Sequence, residues 1–225
     1  MVTPTVMTEP NVTPSGFKNR SDLHVARKVW HMCGVFTVFC GWMLFPYWLS
    51  ITLLAIACIA FIPADVMRQT NPTLNRQLLK AFRPIMRSTE VNKLAGTTYL
   101  LSGALLIALI FNSGVVALSL LFLAFADPLA SYVGIKYGKD KIFGHKSVQG
   151  FMAAFLVCAT LTGLFLSYNR VAEHMLIVSL LGGLVGALAE LIPISKLDDN
   201  FTMPVFSSIG LTILFYFFGF FTYFN

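Results

Sequence analysis

Residues 122–150 read FLAFADPLASYVGIKYGKDKIFGHKSVQG. A run apolar enough for the inside of a bilayer carries one carboxylate, Asp127, and then Lys136, Lys139, Lys141 and Lys146 follow closely. A carboxylate at membrane depth is expensive, and is normally kept for pairing or for chemistry. What the run means depends on the solvent of the whole chain.

That solvent is lipid. The 225 residues are 56% hydrophobic and 12% charged, with a mean hydropathy of +0.74. A soluble domain of this length would carry roughly 25% charged residues. About 20 consecutive apolar residues span a bilayer as a helix, and such runs recur along the chain. They are continuous rather than alternating, which disfavours strands. The expected fold class is all-α: a polytopic integral membrane protein of about seven transmembrane helices plus a cytoplasmic, interfacial amphipathic helix.

The seven segments are 29–45, 47–66, 94–111, 115–135, 148–168, 175–193 and 203–224. Pro46 divides the first two, and Asn112, Ser113 and Gly114 make a turn between the third and fourth. No internal repeat is evident. Residues 1–18 are polar, rich in Thr and Pro, and lack a basic-then-apolar signal layout, so they read as a disordered tail ahead of one membrane domain, 19–225. Cys33, Cys40, Cys58 and Cys158 lie in apolar runs and form no C-x-x-C, so they read as small hydrophobes.

Lys and Arg set the orientation. With the N-terminus in the cytoplasm, 15 of the 16 basic residues fall on that side and only Arg170 falls opposite. The net charge of +6 then faces anionic headgroups or an anionic substrate, and nucleic acid need not be invoked. Between the second and third segments, Leu74, Leu78, Leu79, Phe82, Ile85 and Met86 share one helical face, with Arg76, Lys80, Arg83 and Arg87 largely on the other. This pattern predicts an amphipathic helix lying in the interface.

The same orientation collects the polar residues on one side. Arg27, Lys28 and His31 open the first segment, and Glu90, Asn92 and Lys93 open the third. Asp127 ends the fourth, Lys146 and Ser147 open the fifth, Glu190 ends the sixth, and Asp198, Asp199 and Asn200 precede the seventh. Carboxylate oxygens suit Mg²⁺, which usually takes one or two of them together with substrate phosphates. Arg and Lys suit phosphate oxygens. Mixed at a membrane edge, the two sets point to a metal–polyphosphate site. The pattern G-x-x-x-x-G-K-[ST] is absent, so an ATP-type P-loop is not supported. By contrast, Gly182, Gly183 and Gly186 read as helix packing, His145 as a loop residue, His24 and His174 as solvated or interfacial, and Asp65 with Arg68 as a structural pair.

Three stretches carry a resemblance. DPLASYVG at 127–134 followed by KYGK at 136–139 and HKSVQG at 145–150, ARKVWH at 26–31, and ELIPISKLDDNFTMP at 190–204 resemble the signatures of the CTP-dependent lipid kinases, a family similar to the phosphatidate cytidylyltransferases. The resemblance covers roughly residues 26–204, and the middle block is its most specific part. It implies CTP as phosphoryl donor, Mg²⁺ or another divalent cation, a membrane lipid alcohol as acceptor (diacylglycerol, or a polyprenol, dolichol or phytol type) and, by analogy, a homodimer. It implies phosphate or nucleotide contacts for Gly134, Gly138, Lys139, Lys146, Ser147, Gly150 and Asn200, helped by Arg27 and Lys28. Asp127 would bind the metal or take the proton of the lipid hydroxyl, with Glu190, Asp198 and Asp199 as further metal candidates; His31, Glu90 and Lys93 are other site candidates, with no role assigned to them. The chain departs from the pattern at Gln149, where the family often has Glu. The rival readings are a phosphatidate cytidylyltransferase, disfavoured because its long acidic C-terminal signature is missing, and a transporter.

Overall fold

A computed structural model describes residues 25–82, 85–86, 90–91, 93–192, 194 and 197–223. The tail expected at 1–18 lies outside them, as do His24, Arg83, Arg87 and Asn92.

The described residues are helical almost throughout. Helices α1 (Val25–Leu44) and α2 (Tyr47–Thr70) meet at Pro46, which caps α2. A short α3 (Pro72–Ala81) follows, then α4 (Gly96–Ile110). Next comes one long rod made of α5 (Ser113–Leu121), a π-helical turn (Phe122–Ala126) and α6 (Asp127–Lys136). A two-stranded antiparallel hairpin, β1 (Lys141–Phe143) with β2 (Lys146–Ser147), leads into α7 (Val148–Tyr168), α8 (Met175–Leu191), α9 (Asp199–Phe217) and a 3₁₀ turn (Phe220–Tyr223). Helices are the expected answer of an apolar chain to lipid, because each satisfies its own backbone.

These elements cover the seven expected segments. Four of them, Tyr47–Thr70, Ser113–Lys136, Val148–Tyr168 and Asp199–Phe217, are long and apolar enough to cross a bilayer. Gly96–Ile110 and Met175–Leu191 are apolar but shorter, and α1 opens on the polar residues Arg27, Lys28 and His31. The outer surface fits a lipid solvent: Trp48, Ile59, Leu164, Leu176 and Phe217 are all exposed. In water such a surface would be an aggregation hazard. This is an integral membrane protein.

The core centres on α5, whose residues Val115 to Leu120 are all buried between α1, α4, α7 and α9. Asn112 starts that helix by accepting the Gly114 amide at 2.9 Å. Helices α7 and α8 pack closely because α8 carries glycines at the contact: a Cβ on Gly182 would fall 2.6 Å from Thr162 Oγ1, and one on Gly186 2.4 Å from Cys158 Sγ. The Gly182–Gly183–Gly186 pattern is thus a packing device, as expected. Asp65 and Arg68 are a buried pair; Arg68 also donates to Asn75 and to the carbonyls of Glu90 and Lys93, which ties α2 to α3 and to the approach to α4.

The amphipathic helix is present but shorter than its hydrophobic pattern. Asn71 caps it by accepting the Thr73 and Leu74 amides, Pro72 occupies its first turn, and it ends at Ala81 with Phe82 as C-cap. Leu79 is buried while Arg76 and Lys80 are exposed. Ile85 and Met86 therefore fall outside the helix.

Asp127 does not end a helix, which corrects the expectation. The rod runs through it to Lys136, and the adjustment occurs just before it, as the π turn. Pro128 explains the turn's position. In an unbroken α-helix its ring would press on the carbonyl four residues back, Ala124, and a widened turn there avoids the clash.

Candidate active site

The rod, the hairpin and the near ends of α7, α8 and α9 enclose one cleft. Its walls include Asp127, Ser131 and Gly134 from α6, Lys146 and Ser147 from β2, Gly150 from α7, Glu190 from α8 and Asp199 from α9. Residues spread over 73 positions of sequence, Asp127 to Asp199, therefore share one small volume.

Its electrostatic centre is Lys146. The ammonium donates to Glu190 Oε1 at 2.5 Å and to Asp199 Oδ2 at 3.3 Å. The Glu190 side chain is only 3% exposed, against 18% for Lys146 and 20% for Asp199. Burial works against the charged lysine, but the charges of Glu190, Asp199 and Asp127 outweigh it and hold the Lys146 pKa above its ordinary value. One cation thus sits among three carboxylates at the mouth of a membrane bundle.

Ser147 stands beside it as the N-cap of α7, its hydroxyl accepting the Gly150 amide at 3.2 Å. The amino end of a 21-residue helix consequently opens on the cleft. Such an end carries about half a positive charge and unpaired amides, a ready anion site. The glycines make the fit possible. A Cβ on Gly138 would lie 2.2 Å from the Gly134 carbonyl oxygen and 2.5 Å from Ser147 Oγ, and one on Gly150 would lie 2.9 Å from the Ala130 carbonyl oxygen. The close approach that Gly134, Gly138 and Gly150 permit is therefore to one another and to Ser147.

A second set stands behind Asp127. Lys28 Nζ donates to Ser131 Oγ at 2.6 Å, and His31 Nε2 lies 3.0 Å from the Leu123 carbonyl oxygen and 3.7 Å from Asp127 Oδ2. Arg27 forks onto Glu90, with both contacts at 2.7 Å, and donates to the Ile85 carbonyl. Glu90 also accepts the Gly96 amide, and Asn200 Nδ2 donates to the Gly96 carbonyl. Arg27, Glu90 and Asn200 thus brace α1, α4 and α9 against one another.

The other expected residues divide as follows. Asp198 caps α9 by accepting the Asn200 amide at 3.1 Å. Lys93 is exposed, and its carbonyl serves Arg68. Lys139 is also exposed; its amide donates to Gln149 Oε1 at 3.1 Å. Gln149 Nε2 in turn donates to Asp140 Oδ2 at 2.9 Å. The departure at Gln149 thus has a local use, since an amide can accept from Lys139 and donate to Asp140, whereas a carboxylate can only accept. His145 is an exposed loop residue at the cleft rim.

Two groups at the site, Ser131 and the Leu123 carbonyl, carry only weak signals in the sequence. Ser131 lies one helical turn after Asp127, so the i, i+4 rule alone would have placed both on one face. The Leu123 carbonyl had one faint signal, its position five residues before Pro128.

No family model matches the chain, and no solved structure matches it. Curated relatives do. The chain is 33% identical over 172 residues to the CTP-dependent diacylglycerol kinase 1 of Schizosaccharomyces pombe, covering 69% of this chain and 78% of that one. It is 31% identical over 208 residues to the Saccharomyces cerevisiae protein of the same name, covering 82% and 71%. A phytol kinase of Synechocystis is 29% identical over 198 residues, covering 84% and 78%. Identity of this extent, over most of both proteins, together with a cationic, carboxylate-lined cleft at the end of a membrane bundle, establishes that the chain belongs to the CTP-dependent lipid kinase family.

Proposed function

We propose that the protein transfers the γ-phosphoryl group of CTP to the hydroxyl of diacylglycerol, giving phosphatidate and CDP. The observation that carries this is the placement of Lys146, its carboxylates and the amino end of α7 around one cleft, at the boundary between apolar helices and a basic loop. The names of the relatives support diacylglycerol over a prenol-type alcohol, since those at 31–33% identity are diacylglycerol kinases and the phytol kinase stands at 29%.

Phosphoryl transfer needs positioning and charge neutralisation more than covalent chemistry. The phosphates of CTP sit against the amino end of α7, with Lys146 and Ser147 beside them and Lys139 within the adjoining loop. The lipid reaches the cleft sideways from the bilayer. Its hydroxyl oxygen forms the new bond to the γ-phosphorus as the bond to the β-phosphate oxygen breaks, and CDP leaves. Asp127 takes the hydroxyl proton. Lys28 holds Ser131 on the same face of α6, and Arg27 keeps the surrounding helix ends in register.

No three His, Cys, Asp or Glu side chains among the described residues form a ready-made metal cage. With Asp127 assigned to the proton, the donors at hand are Glu190 and Asp199, which suit Mg²⁺ carried largely by nucleotide oxygens with one or two carboxylates added. The ion would supply neutralisation of phosphate charge. The excess of basic residues on one side supports seven crossings, with the N-terminus and the cleft cytosolic.

The test uses purified protein in vesicles containing diacylglycerol, phytol, a polyprenol or phosphatidate, and CTP labelled at the α or γ phosphate. Label from the γ position in phosphatidate is expected. Label from the α position in lipid would make the protein a cytidylyltransferase, and γ label in phytol or polyprenol alone would replace the acceptor.

A further inference from the structure

The π turn leaves a carbonyl to be accounted for. In the π register each carbonyl pairs with the amide five residues on. Five residues after Leu123 stands Pro128, which has no amide hydrogen. The Leu123 carbonyl thus has no π-register donor, and it belongs to a fully buried residue, out of reach of water. The group that reaches it comes from another helix: His31 Nε2, at 3.0 Å. A carbonyl only accepts, so Nε2 must carry the hydrogen. The same nitrogen lies 3.7 Å from Asp127 Oδ2.

We infer that His31 is a positioning residue for the phosphoryl transfer: its Nε2–H holds the Leu123 carbonyl and thereby fixes the π turn that aims Asp127 into the cleft. The inference rests on the role proposed above for Asp127. Pro128 makes the carbonyl need a donor, the π turn rotates Asp127 relative to α5, and His31 on α1 locks the arrangement from outside the rod. Displacing a reacting group by about 1 Å can lower a rate roughly 100-fold, so the lock matters to rate more than to nucleotide affinity.

The experiment measures γ-label transfer in lipid vesicles for His31→Leu, His31→Gln, Pro128→Ala, the double variant His31→Leu/Pro128→Ala, and Asp127→Asn. Each is first checked for helical content and thermal midpoint. His31→Leu is expected to lower kcat by about tenfold to 100-fold, with KM for CTP little changed. His31→Gln keeps an N–H donor and should retain most of the rate. Pro128→Ala gives Leu123 a donor from its own helix, the residue-128 amide in the π register or the Asp127 amide in the α register, so whatever rate that variant keeps, His31→Leu should cost far less in its background than in the original one. The nitrogen shifts of His31 should report the Nε2–H tautomer.

Equal losses from His31→Leu in both backgrounds, or a His31→Gln variant as poor as His31→Leu, would overturn the positioning role. So would an unchanged kcat in His31→Leu while Asp127→Asn is inactive, and that result would leave the proposed reaction standing. Full activity in Asp127→Asn would remove the role of Asp127 itself, and the positioning role with it.

Discussion

Replacing Lys146 by Met should test the electrostatic design of the cleft most directly. Met keeps the length and apolar stem of the side chain but removes the charge that Glu190 and Asp199 share. Glu190 is 3% exposed, so its carboxylate cannot be rehydrated without moving α8. Removing one partner of a buried ion pair typically costs 3–5 kcal/mol. Lys146 and Asp199 keep some exposure, at 18% and 20%, which places the expected loss near the lower end, about 3 kcal/mol. For a chain of this size 1 kcal/mol moves the thermal midpoint by roughly 2–4 °C, so a fall of about 6–12 °C is expected by fluorescence-monitored unfolding in a mild detergent. The companion variant Lys146→Met/Glu190→Gln removes the stranded charge and should recover most of that fall. Its phosphoryl transfer should stay lost, because the recovered stability does not restore a cation for the phosphates. An unchanged midpoint in Lys146→Met would refute the buried pairing, and full transfer in the double variant would remove Lys146 from phosphate binding.

Three further outcomes are expected. Asp127→Asn should lower γ-label transfer by about 10²–10⁴-fold, the usual share of general acid–base catalysis, with its thermal midpoint within a few degrees of the original; a smaller loss would take the proton-accepting role from Asp127. Gly138→Ala would drive a Cβ to 2.2 Å from the Gly134 carbonyl oxygen, which is backbone and cannot swing aside; it should cost about 1–3 kcal/mol and raise KM for CTP, and a neutral result would show that the loop is free to shift. In the pH profile, the raised pKa of Lys146 means that its pairing is complete below the unfolded-state value near 10.5 and is lost only as pH rises through the still higher folded value. A rate that falls on the alkaline side well below pH 10.5 must therefore report another group, and one that falls in step with deprotonation of Lys146 below that pH would contradict the geometry.

Much of this protein is written locally. Runs such as SGVVALSLLFLAFA at 113–126 demand helix and lipid whatever surrounds them, because no other structure satisfies their backbone there. Asn71 and Pro72 start α3, Asn112 starts α5, and Pro46 separates α1 from α2, all through contacts within a few residues. The tight pairing of α7 with α8 was legible in Gly182, Gly183 and Gly186. The charged residues that line the cleft were legible as candidates too, since charges in so apolar a chain stand out.

What each charge does was not legible. Lys146 meets Glu190 across 44 positions and Asp199 across 53, and Arg27 meets Glu90 across 63. Pairings of that separation are set by which helix faces come together, and hydropathy constrains faces only to be apolar. The sequence by itself therefore determined the solvent, the helices and the set of residues available for chemistry. Only the tertiary structure decided that Lys146 joins the carboxylates at the cleft, that Arg27, Glu90 and Asn200 brace helix ends behind it, and that Asp127 follows a π turn whose Leu123 carbonyl His31 holds from another helix. The physical reason is one of range: backbone satisfaction and burial in lipid act over a helical turn, whereas an ion pair forms only after the chain has brought distant residues within a few ångströms.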